Sequence, residues 1–461
     1  MDYVTLISVA AGLITVVGGV LGAISVVLRL LQQRQATQLS AAPALASPER
    51  GSGSANSRMS RRRFFSVTGI GLVGVGAAGG IFALAKWLTS ANTTGKAAPI
   101  FVHFTYSTEK APWLQAATTA FQRTNPTLNG KPIQIVLDER GSEDGRQLIV
   151  NGSITPTAWS PASMLEVNQL SADWETQFPS AAPIIPAQHP AQSLVSSPLV
   201  LAAWQSRAGL LQQQFGPLTW QNVHQALAFG PGWAGVRDGN AAWGPIKFGQ
   251  TRPDTSNSGL LTTTLITQSY YAQKAGGHTA PLTANALQNA GAVAFLQVFQ
   301  QAITMFGTSS GTYVQCALQE GPAAADIIAT YENLVLTQAV PAASPDRLVA
   351  SYPEFTLLSD HPFVILQLPS VTAEEQVAAG MFRDFLLASA QQRQAVSWGF
   401  RPANPAVRFD DTSIPQNPFV GQSRAPTAAL ALAPVPDGAT VNALIAGWQK
   451  LYPDPILIPG C

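Results

Sequence analysis

The chain has 461 residues, of which 46% are hydrophobic and only 11% charged, with a formal net charge of +1 and two cysteines. That length supplies two or three domains with ample buried core. With neither a CxxC nor a Cys/His cluster a structural zinc site is excluded, and no cofactor is expected.

Val4–Leu28 carries no charge over 25 residues; at about 1.5 Å per residue this exceeds the ~30 Å hydrocarbon layer. Phe64–Ala85 is a second uncharged run, of 22 residues and rich in glycine. Between them lie Arg29, Arg34, Arg50, Arg58, Arg61, Arg62 and Arg63 against one acid, Glu49. The positive-inside rule puts that loop in the cytoplasm and everything after Lys86 outside. Ser60-Arg61-Arg62-Arg63-Phe64 is similar to a twin-arginine export signal, followed by a small-residue cleavage site at Ala83-Leu84-Ala85. We expect retention as an anchor, because Val4–Leu28 has no use in a protein that loses it. The expected order is a transmembrane helix over 1–35, a cytoplasmic linker over 36–60, and a signal or second transmembrane helix over 61–88.

Residues 1–96 hold nine Lys/Arg against two Asp/Glu, whereas residues 97–461 hold 17 against 23. The exported part is therefore mildly acidic, which argues against nucleic acid as partner. Cys316 and the terminal Cys461 are free to pair outside the cell, but a chain end rarely meets disulfide geometry, so no bridge is expected.

From Pro99 the pattern alternates strand, polar turn and helix. Strands are expected at Ile100–Tyr106, Ile133–Leu137, Leu199–Ala203 and Phe363–Leu368. Helices are expected at Glu109–Arg123, at Ser142 through Val150, and at Ala162–Leu170, Leu260–Gln273, Asn285–Met305, Ala373–Ser389 and Gln391–Trp398. Such alternation means parallel α/β architecture, in which ligands collect beyond the carboxyl ends of strands. The run Phe248–Leu261, FGQTRPDTSNSGLL, stops a dense polar stretch abruptly at an apolar helix. Small hydroxyl residues and glycine at a helix start leave N–H groups outward, where negative charge is favoured. An ordinary N-cap is the bland alternative.

Other signals carry less. Gly69-Ile-Gly71-Leu-Val-Gly74 matches a dinucleotide fingerprint but sits inside a membrane-length run. Gly307-Thr-Ser309-Ser-Gly311 matches a nucleophile elbow, yet no strand leads in and Thr312–Val314 does not read as a helix start, so a flexible loop is expected. The five histidines share no ligand spacing. Arg252 could clamp an anion or pair with Asp254. Asp254 and Glu332 fit capping or hinge roles better than paired catalytic carboxylates. Trp159, Trp204, Trp233 and Trp243 could stack on a sugar or fill a core.

Assembled, several elements resemble the bacterial extracellular solute-binding proteins of the type 2 periplasmic-binding fold, in the molybdate- and sulfate-binder-like branch. They are Ser107-Thr108, Gly141-Ser142, Thr157–Ser163, Thr251–Gly259, Tyr331-Glu332 and Gly399-Phe400-Arg401-Pro402. The resemblance implies an α/β fold with two lobes, one over 98–201 and 362–461 and the other over 202–361, closing by a hinge around ligand. Carried over by position, Ser107 and Ser142 would donate from the first lobe, and Ser256, Ser258 and the amides around Gly259 from the second. Thr108, Ser160, Thr255 and Asn257 stand beside them, and Tyr331 would reach the cleft. The resemblance implies a receptor for a small, oxyanion-like ligand, serving an ABC-type importer or a sensor, and the N-terminal apolar runs lead us to expect that it is anchored to the membrane. Glu109 would repel an anion unless it points away. A carbohydrate receptor and a cell-surface module without ligand are the alternatives; an envelope hydrolase is the least favoured.

Overall fold

A computed structural model describes residues 97–338, 346–420 and 430–457. Both N-terminal apolar runs, the twin-arginine-like motif and the GxGxxG match lie outside the described residues. Among the described residues no helix is long and apolar enough to cross a membrane.

The first sheet is built on β1 (Ile100–Tyr106), flanked by β3 (Lys131–Glu139) and β4 (Ala158–Ser160), both parallel to it. The short β2 (Thr127–Leu128) lies outside β3. A returning strand, β11 (Pro362–Ile365), pairs antiparallel with β4 and with β5 (Gln192–Ser193). Val102, Phe104 and Tyr106 of β1 are fully buried because helices cover the sheet. Phe104 meets Phe363 and Phe382 at ring-centroid distances of 5.0 and 5.8 Å.

The second sheet is built on β6 (Val195–Trp204), longer than the expected strand and buried along nearly its whole length. Its residues alternate between two cores, as a period of two requires. Leu199, Leu201 and Ala203 pack with Trp220 and Phe299, whereas Val200, Ala202 and Trp204 pack with Tyr313 and Ile328. The strand pairs antiparallel with β8 (Ile327–Tyr331) on one edge and β9 (Leu348–Ser351) on the other; β7 (Phe248–Gly249) runs parallel to β8.

The chain passes between the sheets twice, side by side. At the start of β6, Ser197 and Pro198 pair with Ser359 and Leu358 of β10 (Leu358–Ser359), and Ser196 pairs with Arg401 of β12 (Arg401–Pro402). The hinge is thus paired backbone. This is an α/β fold of two lobes.

The helices that carry the argument are α1 (Ala111–Arg123), α2 (Ser142–Val150), α3 (Met164–Gln177), α4 (Gln205–Phe215), α5 (Trp220–Leu227), α6 (Asn257–Lys274), α7 (Ala290–Gln301) and α8 (Ser310–Glu320). They are followed by α9 (Glu332–Leu336), α10 (Ala373–Leu387), α11 (Ser389–Ser397) and α12 (Gly438–Leu451). The expected helix over Asn285–Met305 is shorter, ending at Gln301. Helices α4 and α5 fall between the expected strand Leu199–Ala203 and the expected helix Leu260–Gln273, where no regular element was expected.

Helix α6 is buried on nearly every side although it is rich in threonine. Thr262, Thr263, Thr264 and Thr267 each return their hydroxyl proton to the carbonyl four residues earlier, at 2.6–2.9 Å. That pattern lets a polar sequence run through a core without orphaned donors.

Two expectations are corrected. Cys316 is disulfide-bonded; the chain's other cysteine, Cys461, lies outside the described residues. The Gly307–Gly311 segment is loop only as far as Ser309, the N-cap of α8; the helix begins at Ser310, and its buried stripe of Tyr313, Val314, Ala317 and Leu318 supplies the packing that holds it.

Candidate functional site

Four helical starts from the two lobes meet at one small cavity of ≈ 10 Å³, about the space one water-sized probe needs. Its wall contains Ser107, Thr108, Glu109, Gly141, Ser142 and Ala162 from the first sheet's loops, and Ser256, Asn257, Ser309 and Ser310 from the second's. The lobes are therefore in contact around it, and a polyatomic ligand requires them to part.

The strands explain the placement. β1 ends at Tyr106, and Ser107 opens a 3-10 turn that runs into α1; β3 leads through Gly141 into α2. β7 leads through Thr251–Ser256 into α6, and Ser309 opens α8. Side chains at Thr219, Asn289, Thr372 and Asp437 cap other helices. None of the four cavity-facing N-cap residues, Ser107, Gly141, Ser256 and Ser309, makes a side-chain cap bond. Their first-turn N–H groups carry the partial positive charge of a helix start without an internal acceptor to answer it. Other helix starts, at Ser163, Trp204 and Ala388, also lack a side-chain cap bond; what marks this site is that four such starts face one cavity.

The hydroxyls form a relay behind the wall. Ser142 Oγ accepts from Ala162 N at 3.0 Å, which leaves its own proton for the cavity. Ser256 Oγ lies 3.1 Å from Ser310 Oγ, Ser310 Oγ donates to Ser258 Oγ at 2.9 Å, and Ser258 Oγ meets Thr251 Oγ1 at 2.7 Å. Ser163 Oγ donates to Asn257 Oδ1 at 2.7 Å, a direct bond between the lobes, and Asn257 Nδ2 donates to Tyr331 OH at 2.8 Å.

Of the residues singled out from the sequence, Ser107, Thr108, Ser142, Ser256 and Asn257 line the cavity. Ser258 and Tyr331 are fully buried one layer behind it, holding Ser310 and Asn257. Ser160 is buried within β4, and its carbonyl accepts from Ser107 N at 3.1 Å. Thr255 sets the opposite lip of the cleft with its carbonyl: a Cβ added at Gly141 would lie 3.2 Å from Thr255 O. Gly259 serves packing; an added Cβ there would lie 2.2 Å from Thr251 O, so only glycine lets α6 press onto that loop. Arg252 pairs with Asp254 at 2.8 and 2.7 Å. Asp254 and Glu332 have separate partners, the latter Arg401 at 2.7 Å. Of the indoles weighed for sugar stacking, Trp159, Trp204 and Trp233 are buried in the core, and the half-buried Trp243 is covered by Arg207 at 4.4 Å.

Sequence reasoning missed Ser309, Ser310 and a buried charged cluster. Glu109 does not point away. Its carboxylate accepts from Ser107 Oγ, which in turn accepts from Lys110 Nζ. Lys110 Nζ lies 3.5 Å from Glu109 Oε1 and donates to Pro161 O at 3.2 Å. His361 Nδ1 lies 3.3 Å from Lys110 Nζ and 3.2 Å from Glu109 Oε1. Adjacent opposite charges at Glu109-Lys110, directly after Ser107-Thr108, were the available signal, in a chain where charge is sparse.

Burial alone would raise the Glu109 carboxyl, but the Lys110 charge and hydrogen bonds from His361 and Ser107 outweigh it and hold it down at about 2. Burial lowers Lys110 to about 8 against the pull of Glu109. Burial, then the Lys110 charge, lowers His361 to about 4. At neutral pH the cluster is thus Glu109⁻, Lys110⁺ and neutral His361, with no net charge to repel an anion.

A pH dependence follows. His361 and Glu109 both bind protons more weakly folded than unfolded, so the unfolded state gains protons first as pH falls. Stability is expected to drop from the ordinary histidine value of 6.5 down through about 4, and again from 4.5 toward about 2. Denaturation midpoints measured along that range should lose the upper step in His361→Gln, and a step that survives the substitution would locate the titration elsewhere.

The chain matches, over residues 102–401, the family described as "Bacterial extracellular solute-binding protein". It belongs to that family. No curated protein matches it. Among solved structures, this solute-binding protein is similar in fold to the sulfate-binding protein SubI from Mycobacterium tuberculosis H37Rv, at 15% identity over 77% of this chain and 98% of that one, with a TM-score of 0.46. It is similar also to the periplasmic binding protein AfuA from Actinobacillus pleuropneumoniae, at 14% identity over 76% and 98%, with a TM-score of 0.49. The ferric binding protein from Campylobacter jejuni is a third, at 10% identity over 76% and 98%, with a TM-score of 0.48. The fold is the type 2 periplasmic-binding fold, and the family is one of binders rather than enzymes.

Proposed function

We propose that this solute-binding protein captures a small oxyanion between its lobes, held at the membrane by its N-terminal segments, for an ABC-type importer or a sensor. The observation that carries the reading is the meeting of uncapped helix starts and serine hydroxyls from both lobes at one cavity. Aligned N–H dipoles satisfy anion oxygens without a full buried counter-charge. Glu109 is compatible with it because Lys110 offsets its charge. We take the lobes as 98–201 with 362–461, and 202–361. The ligand candidates are Ser107, Thr108, Ser142, Ser256 and Asn257, joined by Ser309 and Ser310.

The test is a melting-temperature series on the full chain with sulfate, molybdate, tungstate and phosphate. An anion present at about 100 times its dissociation constant should add about 2.7 kcal/mol of stability. Flat responses to every anion would sink the oxyanion reading. Flat responses to sugars and amino acids as well would favour a surface module without ligand.

A further inference from the structure

The C-terminal segment, which lies beyond the 102–401 family match, touches both lobes. It enters beside the hinge, where Thr356 N donates to Ala431 O at 2.9 Å and Ala433 N to Thr356 O at 2.8 Å. Gln268 of α6 then donates to Pro434 O at 2.7 Å. Helix α12 follows, its start fixed by Asp437 accepting from Thr440 N.

The first half of α12 is fastened to α3, which follows the first sheet's β4. Gln169 Nε2 donates to Asn442 Oδ1 at 2.8 Å, and Asn442 Nδ2 donates to Asp173 Oδ1 at 3.0 Å. The approach is close enough that a Cβ at Gly438 would lie 2.9 Å from Asn168 O. The second half is fastened to the other lobe. Trp448 Nε1 donates to Gln300 Oε1 at 2.9 Å, and its ring meets Phe306 edge-on at 5.6 Å. Gln449 Nε2 donates to Asp254 Oδ2 at 3.1 Å, and Phe306 N donates to Ile456 O at 2.7 Å. Between these ends Val441, Leu444, Ile445 and Trp448 are buried at helical spacing. The first three join a core that contains Leu165 of α3 together with Leu261 and Phe299 of the second lobe.

We infer that α12 is a strap across the two lobes: Asn442 and Gln449 are positioning residues that limit how far the cleft opens. Parting the lobes must break the ties at one end or the other. Gln449 has a second effect, because Asp254 stands two residues before Ser256 in the loop that delivers α6 to the cavity. The inference concerns the ligand-free protein, so it stands or falls independently of which solute binds.

The test is Asn442→Ala combined with Gln449→Ala in the full chain, which leaves the buried stripe intact. Nitroxides placed by Gln115→Cys on α1 and Gln213→Cys on α4 would report the interlobe distance by electron double resonance without ligand. The double variant should shift the distribution to longer separations and broaden it. A second variant, Trp448→Leu, weakens the second-lobe anchor alone, at its bond to Gln300 and its contact with Phe306, and should give the same shift. A lowered melting temperature with unchanged distances in both variants would mean that α12 merely packs, and would overturn the strap.

Discussion

Lys110→Met is expected to destabilise the protein by about 3–5 kcal/mol, the cost of removing one partner from a buried ion pair. Lys110 is wholly buried and Glu109 nearly so, and the ammonium also serves Ser107, Pro161 and the edge of His361. Deleting it leaves a carboxylate in low dielectric, with Ser107 deprived of the donor that orients it. The combined variant Glu109→Gln/Lys110→Met should recover most of the loss, since it removes both charges together. Urea midpoints of the three proteins measure this directly. A single variant as stable as the natural chain would mean that the pair does not carry opposite charges, and the claim of a neutral site would fall with it.

Gly141→Val is expected to weaken ligand binding at least tenfold, or about 1.4 kcal/mol, with little effect on the fold of the lobe that carries it. Gly141 has φ −57 and ψ 146, a conformation open to any residue, so valine introduces no backbone strain within its lobe. The conflict arises only across the cleft, where a Cβ already lies 3.2 Å from Thr255 O and the branched methyls reach farther. The substitution acts as a wedge against closure. Calorimetric titration of Gly141→Val beside Gly141→Ala, with whichever anion stabilises the natural chain, should give graded losses. Equal affinity in all three would show that closure at this lip plays no part in binding.

Much of the first lobe was legible because its chemistry is local. Ser107 and Ser142, like Ser256 of the second lobe, stand out in the sequence because a small polar residue where an apolar strand gives way to an amphipathic helix is the signature of a helix start. Ser309 and Ser310 escaped for the opposite reason. Gly307-Thr-Ser-Ser-Gly-Thr has poor intrinsic helix preference, and α8 exists because Tyr313 and Val314 bury against Trp204 and Ile328. The disulfide at Cys316 and the Glu109–Lys110–His361 cluster depend on contacts that no local pattern encodes; His361 stands 251 residues from Lys110. The close approach of Gly259 to Thr251 is equally hidden, since an amide donor and a glycine needed for close packing look identical in a string of letters. The tryptophans likewise carry no mark that separates a stacking platform from a core.

The doubled crossing has a consequence for motion. Ser197–Pro198 and Leu358–Ser359 run side by side as hydrogen-bonded ribbon, with Arg401 closing the edge at Ser196. A ribbon flexes readily across its flat face but resists shear within its plane, because shear would break the ladder bonds. The two halves should therefore swing as a door on one axis, so that each half-open posture differs from the shut one by a single angle.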